Sequence, residues 1–185
     1  MLLLAALWLP ILLSAVIVFI ASSIMHTVLP YHNSDFRKLP EEDAVLAALR
    51  SAGVTRGLYH FPRCKREDMK TPEMQEKFKQ GPVGFLTIFP SGPVSMPKFL
   101  VQWFIFCLLI SFVVAYLAAH TVVPAAPFRH VLRVVGTAAF LGYGLGAFIG
   151  VIWKGQTWSM TLKEVFDGFI YAALTAATFA WLWPH

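Results

Sequence analysis

The chain has 185 residues, of which 57% are hydrophobic and 14% are charged, whereas soluble domains carry about 25% charged residues. In water, a fold of this composition would expose large apolar patches. Its formal charge of +5 is too small to indicate nucleic-acid binding. The composition therefore excludes an ordinary soluble domain and predicts an integral membrane protein in contact with the lipid bilayer.

Four apolar blocks are each long enough to cross a bilayer, which needs about 20 helical residues. They occupy residues 1–30, 98–120, 131–153 and 161–183. The first block lacks the basic start and the short apolar core of a secretory signal, so we expect it to be retained. Tryptophans near the ends of the last two blocks are typical of an aromatic belt. The pattern predicts an all-α transmembrane fold, a polytopic four-helix membrane bundle.

The segment between the first two blocks, residues 31–97, is polar and punctuated by Pro and Gly. Pro40 followed by three acidic residues predicts the start of a helix, which ends before Gly53. Thr71 and Pro72 predict a second, short helix. Apolar runs bounded by turn residues predict strands at 54–61 and 83–89. We therefore predict a small α+β insertion between the first and second spans.

The basic residues are distributed very unevenly. Only Arg129 and Arg133 lie on the side of the turn between the second and third spans. Basic loops concentrate on the cytoplasmic side, so we expect a cytoplasmic insertion, both termini outside and a bacterial inner (plasma) membrane. The other thirteen Lys and Arg are Arg37, Lys38, Arg50, Arg56, Arg63, Lys65, Arg66, Lys70, Lys77, Lys79, Lys98, Lys154 and Lys163.

Small residues recur every fourth position along the third and fourth predicted spans. Such stripes allow helix backbones to approach closely in lipid. We favour an internal hairpin between these two spans, with a contact to another subunit as the alternative. The stripes are Ala138, Gly142, Gly146 and Gly150 on one side and Gly168, Ala172, Ala176 and Ala180 on the other.

The fourth predicted span begins with charged residues. Thr161 and Glu164 have the spacing of a capping box, and Lys163 lies four residues before Asp167, a spacing at which the two can pair. An ionisable group within a span is a functional candidate by default, yet pairing and snorkelling at the interface also explain it. We favour the structural explanation and keep Asp167 as the candidate ion or proton site.

The histidines do not match a cofactor motif. A buried haem needs two histidines at matching depth on facing helices, and no pair here meets that condition. A zinc site from His26, His32, His60 and Cys64 is chemically conceivable, but the spacing fits no standard zinc pattern. We therefore predict neither a metal nor a cofactor, and we expect Cys64 and Cys107 to be free thiols.

A small basic cluster follows Pro62. Arg63, Lys65 and Arg66 suit either a solvated loop or contact with anionic lipid headgroups. The two interpretations are compatible, and we predict the headgroup contact.

Three segments carry a resemblance to known proteins. They are the run 25–40 beginning Met-His-Thr-Val-Leu-Pro, the run 81–87 with Gly-Pro-Val-Gly-Phe-Leu-Thr, and the run 166–184 from Phe-Asp-Gly-Phe-Ile-Tyr to Trp-Leu-Trp-Pro. Together these resemble a group of small, uncharacterised bacterial four-helix inner-membrane proteins. The resemblance implies a bacterial inner-membrane location, and it implies no activity or functional residue.

The sequence contains no phosphate loop, no nucleophile elbow and no His-Glu-x-x-His motif. The polar midplane and interrupted helices of a transporter are also not predicted. Our leading hypothesis is a non-enzymatic accessory or structural subunit that packs laterally in a larger inner-membrane complex, with respiratory and photosynthetic complexes as candidate hosts. The alternatives are a small proton- or ion-linked carrier using Asp167, and a metal-dependent enzyme at the cytoplasmic face using His26, His32 and His60.

Overall fold

The structure is a computed structural model that describes residues 2–184 and is mostly helical. It divides into two compact units, a helical unit formed by residues up to 35, 95–151 and from 156, and an insertion unit formed by residues 36–94 with 152–155. The helices are α1 (Leu2–Ala6), α2 (Trp8–Thr27), α3 (Glu42–Ser51), α4 (Pro72–Gln80), α5 (Met96–Thr121), α6 (Phe128–Tyr143), α7 (Phe148–Trp153) and α8 (Trp158–Trp181), and the strands are β1 (Gly57–Phe61) and β2 (Gly84–Ile88).

Three helical segments are long and apolar enough to cross a membrane, namely Trp8–Thr27, Met96–Thr121 and Phe128–Trp153. Helix α8 has 24 residues and is also long enough, but its first half carries Lys163, Glu164 and Asp167, which lower its apolarity. The structure therefore supports a membrane protein with three candidate spans.

In the helical unit, α2 and α6 each pack mainly against α5 and α8. Helices α2 and α5 run antiparallel, because Ser14 bonds to Ser111 through their hydroxyls at 3.0 Å while Trp103 Nε1 donates to Ser22 Oγ at 2.7 Å. These bonds join helices without leaving buried polar atoms unpaired, as packing in lipid requires. The end of the unit that holds His26 is therefore opposite the end that holds His120.

The prediction that Gly142, Gly146 and Gly150 face the fourth span is wrong. A Cβ on Gly142 would meet Ile110 of α5, one on Gly150 would meet Gln156, and one on Gly146 would meet nothing within 4 Å. A repeat of four residues drifts around a helix with 3.6 residues per turn, and a 3₁₀ turn at Leu145–Ala147 shifts the phase further.

The close approach of α6 to α8 uses other small residues. A Cβ on Gly136 would lie 3.3 Å from Ala176, and a Cβ on Gly168 would collide with the backbone of Gly144. Ala172, Ala176 and Ala180 are buried as a small-residue face of α8 requires, whereas Ala138 is only half-buried. The internal packing of the two segments is thus observed, with Gly136 and Gly144 as the contributions of the third segment.

The third candidate span is interrupted, contrary to the sequence-based expectation. Helix α6 ends at Tyr143, the 3₁₀ turn Leu145–Ala147 follows, and α7 begins at Phe148. Such a turn within a helix often marks a functional or strained position. Here it lies where Gly144 meets Gly168, one residue from Asp167.

The insertion unit contains an antiparallel hairpin of two strands, with Gly57 opposite Ile88 and Phe61 opposite Gly84. Both strands are shorter than predicted. Helix α4 is capped by Thr71, whose hydroxyl accepts a hydrogen bond from Met74 N at 3.4 Å. None of the described residues 36–94 is fully buried, which agrees with the marginal core expected of so small a unit.

Two predicted boundaries need correction. The helical unit extends to Asp35, whereas the insertion was predicted to begin at residue 31. Helix α8 begins at Trp158 with Thr157 as its N-cap, since the Thr157 hydroxyl accepts from Met160 N at 3.2 Å. Thr161 is therefore inside the helix, and the capping box with Glu164 is wrong. Cys64 and Cys107 are free.

Candidate functional site at the carboxyl end of helix α2

The position of the candidate site depends on Pro30, which ends helix α2. Pro30 disfavours helix at the residue before it, and Leu29 is extended with φ −85° and ψ 132°. The chain therefore leaves α2 and turns into a 3₁₀ helix, Pro30–Ser34. This turn brings Tyr31 and His32 to Asp167 of α8, more than 130 residues further along the chain.

Asp167 is the centre of the site. It is 3% exposed. The Tyr31 hydroxyl donates a hydrogen bond to its Oδ1, and His32 Nε2 lies 2.9 Å from its Oδ2. His26 Nε2 lies 3.8 Å from the same Oδ2. One carboxylate oxygen thus faces two imidazole rings.

A second carboxylate lies behind His32. Asp35 Oδ2 is 2.6 Å from His32 Nδ1, and Asp35 Oδ1 accepts from Lys163 Nζ at 2.6 Å. Lys163 also donates to the Ser34 hydroxyl at 2.8 Å and to the Tyr31 carbonyl at 2.5 Å. The predicted pairing of Lys163 with Asp167 is therefore wrong, because the fold-back at Pro30 brings Asp35 to the lysine.

Two pKa shifts describe the electrostatics of this turn. Burial alone would raise the pKa of Asp35, but hydrogen bonds from Lys163 and His32 outweigh burial and hold that pKa below its ordinary value. Burial, followed by the hydrogen bond to Asp167 and the negative charge there, raises the pKa of Tyr31. Tyr31 therefore remains a protonated donor at neutral pH.

The charge of His32 can be related to the charges of the two carboxylates. Ionised carboxylate oxygens only accept hydrogen bonds. With both carboxylates ionised, His32 can bond to both only if each of its nitrogens carries a hydrogen. The imidazolium of His32 and the ammonium of Lys163 then balance Asp35 and Asp167, which is the compensation that buried charges require.

His26 is held differently. Its Nδ1 lies 3.0 Å from the Ser22 carbonyl, and because a carbonyl oxygen only accepts, Nδ1 carries the hydrogen. Its ring stacks on His32 with centroids 4.3 Å apart and 16° between the planes. The side chain is 53% exposed. Its other ring nitrogen, Nε2, faces Asp167.

A cavity of about 630 Å³ adjoins the site. Helices α2, α5 and α8 and the interrupted third segment all contribute to its wall, which includes Leu100, Trp103 and Gly146. Its polar groups include His26, Glu164, Asp167 and Tyr171. The Tyr171 hydroxyl is buried and, within the described part of the chain, has no hydrogen-bond partner.

The structure brings together three of the residues proposed from the sequence, His26, His32 and Asp167. His60 and Cys64, the other two conceivable zinc ligands, are in the insertion unit and are not members of this group. Asp167 could not be placed beside the histidines from the sequence, because its position depends on the packing of α8 on α2. Arg63, Lys65 and Arg66 are exposed, and their contact with headgroups stays a prediction.

Sequence reasoning missed Tyr31, Asp35 and Tyr171. The spacing of His32 and Asp35 at three residues was an available clue, because a carboxylate so close to a histidine often orients its ring. No local pattern indicates the unpaired hydroxyl of Tyr171, which depends on the packing of three helices.

Comparison of the chain with protein-family models, with curated proteins and with solved structures gives no match. What the site can do therefore follows from its own geometry and chemistry.

Proposed function

We propose that the chain is a four-span protein of the bacterial inner membrane that binds an amphipathic molecule in the cavity beside Asp167. The polar group of that molecule lies at Tyr171, His26 and Asp167, and its apolar part lies along Leu100 and the neighbouring cavity wall. The observation that carries this proposal is that the cavity beside Asp167 is lined by Tyr171, whose buried hydroxyl has no hydrogen-bond partner among the described residues.

An unpaired buried hydroxyl is costly. Leaving a buried donor without a partner costs about 1–3 kcal/mol, and the hydrocarbon of a bilayer supplies no compensating group. A ligand with a polar atom at Tyr171 would remove that cost. The volume of about 630 Å³ falls within the range of about 300–1,000 Å³ for small-molecule sites.

The fourth span is supported by charge compensation. Helix α8 packs between α2 and α6. Its buried Asp167 is paired with His32, and its partly buried Lys163 is paired with Asp35. Paired charges are tolerated at helix ends in a membrane. With the insertion in the cytoplasm, as the basic residues favour, the cavity lies at the cytoplasmic end of the helices.

Filling the cavity tests the proposal. Gly146 lines it, and a Cβ there would meet nothing within 4 Å, so Gly146→Leu should occupy the space without displacing a helix. We expect organic extraction and mass spectrometry of the purified wild-type protein to release one molar equivalent of an amphipathic compound, and the variant to release less than a tenth of it.

The matched control is Ala177→Leu, which creates the same side chain at an exposed position of α8 outside the cavity. It should retain the compound. Wild-type protein that yields no stoichiometric compound, or a Gly146→Leu variant that retains it, would contradict the proposal.

The accessory-subunit hypothesis has one supporting observation. Leu162, Phe166 and Phe169 are exposed on one face of α8, at spacings of four and three residues. A protein partner or lipid would cover this stripe. Solubilisation in a mild detergent followed by size analysis should recover a stoichiometric complex if the chain is a subunit, and Phe166→Ser should release it. A monomer or homo-oligomer in both samples contradicts the hypothesis.

The carrier hypothesis is favoured by the interrupted segment at Leu145–Ala147, because broken helices are common at transporter sites. Asp167 lies beside that break. If the chain is a carrier, Asp167→Asn should abolish proton or ion flux in proteoliposomes while the protein stays assembled. An unchanged flux would reject the carrier hypothesis.

A further inference from the structure

Three side chains in the helical unit are placed as ligands of a single ion. His26, His32 and Asp167 each offer one ligand atom, and these atoms lie within 4.8 Å of one another. Asp167 Oδ2 is 2.9 Å from His32 Nε2 and 3.8 Å from His26 Nε2. Two imidazoles and one carboxylate form the ligand set of many zinc and non-haem iron sites.

In each imidazole, the nitrogen that does not face Asp167 is held by a hydrogen-bond acceptor. His26 Nδ1 bonds to the Ser22 carbonyl at 3.0 Å, and His32 Nδ1 bonds to Asp35 Oδ2 at 2.6 Å. Metal-binding histidines donate their other ring hydrogen in this way, which fixes the tautomer and leaves the second nitrogen for the metal. In both rings the nitrogen left for a metal is Nε2, and both Nε2 atoms face Asp167.

The hydrogen bonds to Asp167 do not include His26, because a separation of 3.8 Å is too long for an N–H···O bond. The hydrogen that His26 donates to Ser22 is on Nδ1, so its Nε2 faces a carboxylate oxygen across that gap. A positive charge makes this approach favourable, and either a proton on Nε2 or a metal ion supplies it.

We propose that His26, His32 and Asp167 bind one divalent transition-metal ion of the zinc or iron type. Bond lengths of about 2.0–2.2 Å place neighbouring donors of a tetrahedral site about 3.3 Å apart. The observed separations of 2.9 and 3.8 Å lie on either side of that value. The 2.9 Å pair must open slightly, and the half-exposed His26 ring must turn out of its stack on His32 to bring Nε2 closer.

The charges indicate what completes the site. A divalent ion takes the place of the hydrogen on His32 Nε2, and together with Lys163, Asp35 and Asp167 it leaves one positive charge. An anionic donor would neutralise that charge. His26 and Asp167 both line the cavity, so this donor is either Glu164 on the same wall or an anionic group of the molecule in the cavity. The metal site itself does not depend on that molecule.

The test uses the full chain in lipid nanodiscs, purified without a polyhistidine tag and stripped with a chelator. Calorimetry with Zn²⁺ alone should show one equivalent bound. We expect His26→Ala and Asp167→Asn to weaken binding at least 100-fold, and Asp35→Asn, which alters only the support of His32, to weaken it about 10-fold to 100-fold. Asp167→Glu should recover part of the affinity.

His120→Ala is the matched control. His120 Nδ1 lies 2.7 Å from the Tyr116 carbonyl, four residues earlier, as His26 does with Ser22, and among the described acidic residues none is paired with it by an ion pair. Zn²⁺ binding should be unchanged in this variant. Circular dichroism and size analysis of each variant distinguish loss of a metal ligand from loss of the fold. His26→Ala is the decisive variant, because removing a half-exposed ring should disturb the fold least.

Cobalt gives an independent spectroscopic readout. Co²⁺-loaded protein should show visible d–d bands that are lost in His26→Ala, without a thiolate charge-transfer band. A thiolate band would assign the metal to a cysteine and overturn the proposal, as would the absence of stoichiometric Zn²⁺ binding or full affinity in His26→Ala. If the protein yields an amphipathic compound but binds no metal, the cavity proposal is supported and the metal proposal is contradicted. If it binds metal but yields no compound, only the cavity proposal is contradicted.

Discussion

The two ends of the helical unit carry the same kind of histidine in different surroundings. His26 near the end of α2 and His120 near the end of α5 each bond through Nδ1 to a carbonyl four residues earlier. Around His26, the fold-back at Pro30 adds His32 and Asp35, and α8 adds Asp167. A histidine at a helix end is thus satisfied by its own helix, and the elements packed against it decide whether it belongs to a site.

The opposite end is closed by backbone groups. Ala125 N donates to the Pro184 carbonyl at 2.9 Å, and Trp183 Nε1 donates to the Val123 carbonyl at 3.0 Å. The charged residues there, Arg129 and Arg133, are exposed. At this end, hydrogen bonds connect the loop after α5 to the segment after α8, whereas the buried charged groups lie at the His26 end.

The largest expected effect follows from removing the central carboxylate. Asp167→Ala leaves His32 and Lys163 with one carboxylate between them and the Tyr31 hydroxyl without its acceptor. Breaking a buried ion pair costs about 3–5 kcal/mol, so the free energy of unfolding in bicelles should fall by that amount. Arg133→Ala at the opposite end should change it by less than about 0.5 kcal/mol. Equal losses in the two variants would remove the contrast between the ends.

A smaller loss is expected at the helix contact beside the site. A side chain at Gly168 would collide with the backbone of Gly144, so Gly168→Val should reduce the free energy of unfolding by about 1–3 kcal/mol. The counterpart further along the pair is Gly136→Ala, whose added Cβ lies 3.3 Å from Ala176 and should cost less. If Gly136→Ala were the more damaging of the two, the closest approach of α6 and α8 would be misplaced.

The pH dependence of stability should come from the His26 end. The pKa of Asp35 is lowered in the folded protein, so its stabilising contribution is complete above the unfolded value of about 3.9 and is lost as the pH falls through the folded value. Unfolding of the metal-free protein between pH 7 and pH 3 should show this loss, and Asp35→Asn should show a flatter profile. If the wild type and Asp35→Asn have the same dependence of unfolding free energy on pH, the hydrogen bonds from Lys163 and His32 do not lower the pKa of Asp35.

The smallest effect is expected at His120. Its ring is exposed and bonds only within its own helix, so His120→Ala should change the free energy of unfolding by less than about 0.5 kcal/mol. His26→Ala should change it more because its ring stacks on His32. Unfolding curves recorded side by side check this difference, and a larger loss at His120 would contradict it.

The sequence predicted what depends on local composition. Three of the apolar blocks are helices apolar enough to cross a membrane, and Thr71 with Pro72 begins a helix as expected. A repeat of small residues predicted close packing of the last two segments, but it did not show which residues meet. Gly136 and Gly144 replaced Gly142 and Gly146 because helix phase depends on an interruption that composition does not indicate.

The site depended on contacts between distant residues. Asp167 and His32 were both singled out from the sequence, yet their pairing across 135 positions results from the packing of α8 on α2. Asp35 was assigned to the insertion because a polar residue after an apolar block usually lies in a loop. The bond from Lys163 holds its side chain nearly buried in the helical unit instead.

Native mass spectrometry of the protein released from its own membrane extract tests the central claim most directly. The wild type and Ala177→Leu should carry the mass of one amphipathic molecule, and Gly146→Leu should carry none. If all three proteins have the mass of the chain alone, or if all three carry the same molecule, the cavity beside Asp167 is not the binding site.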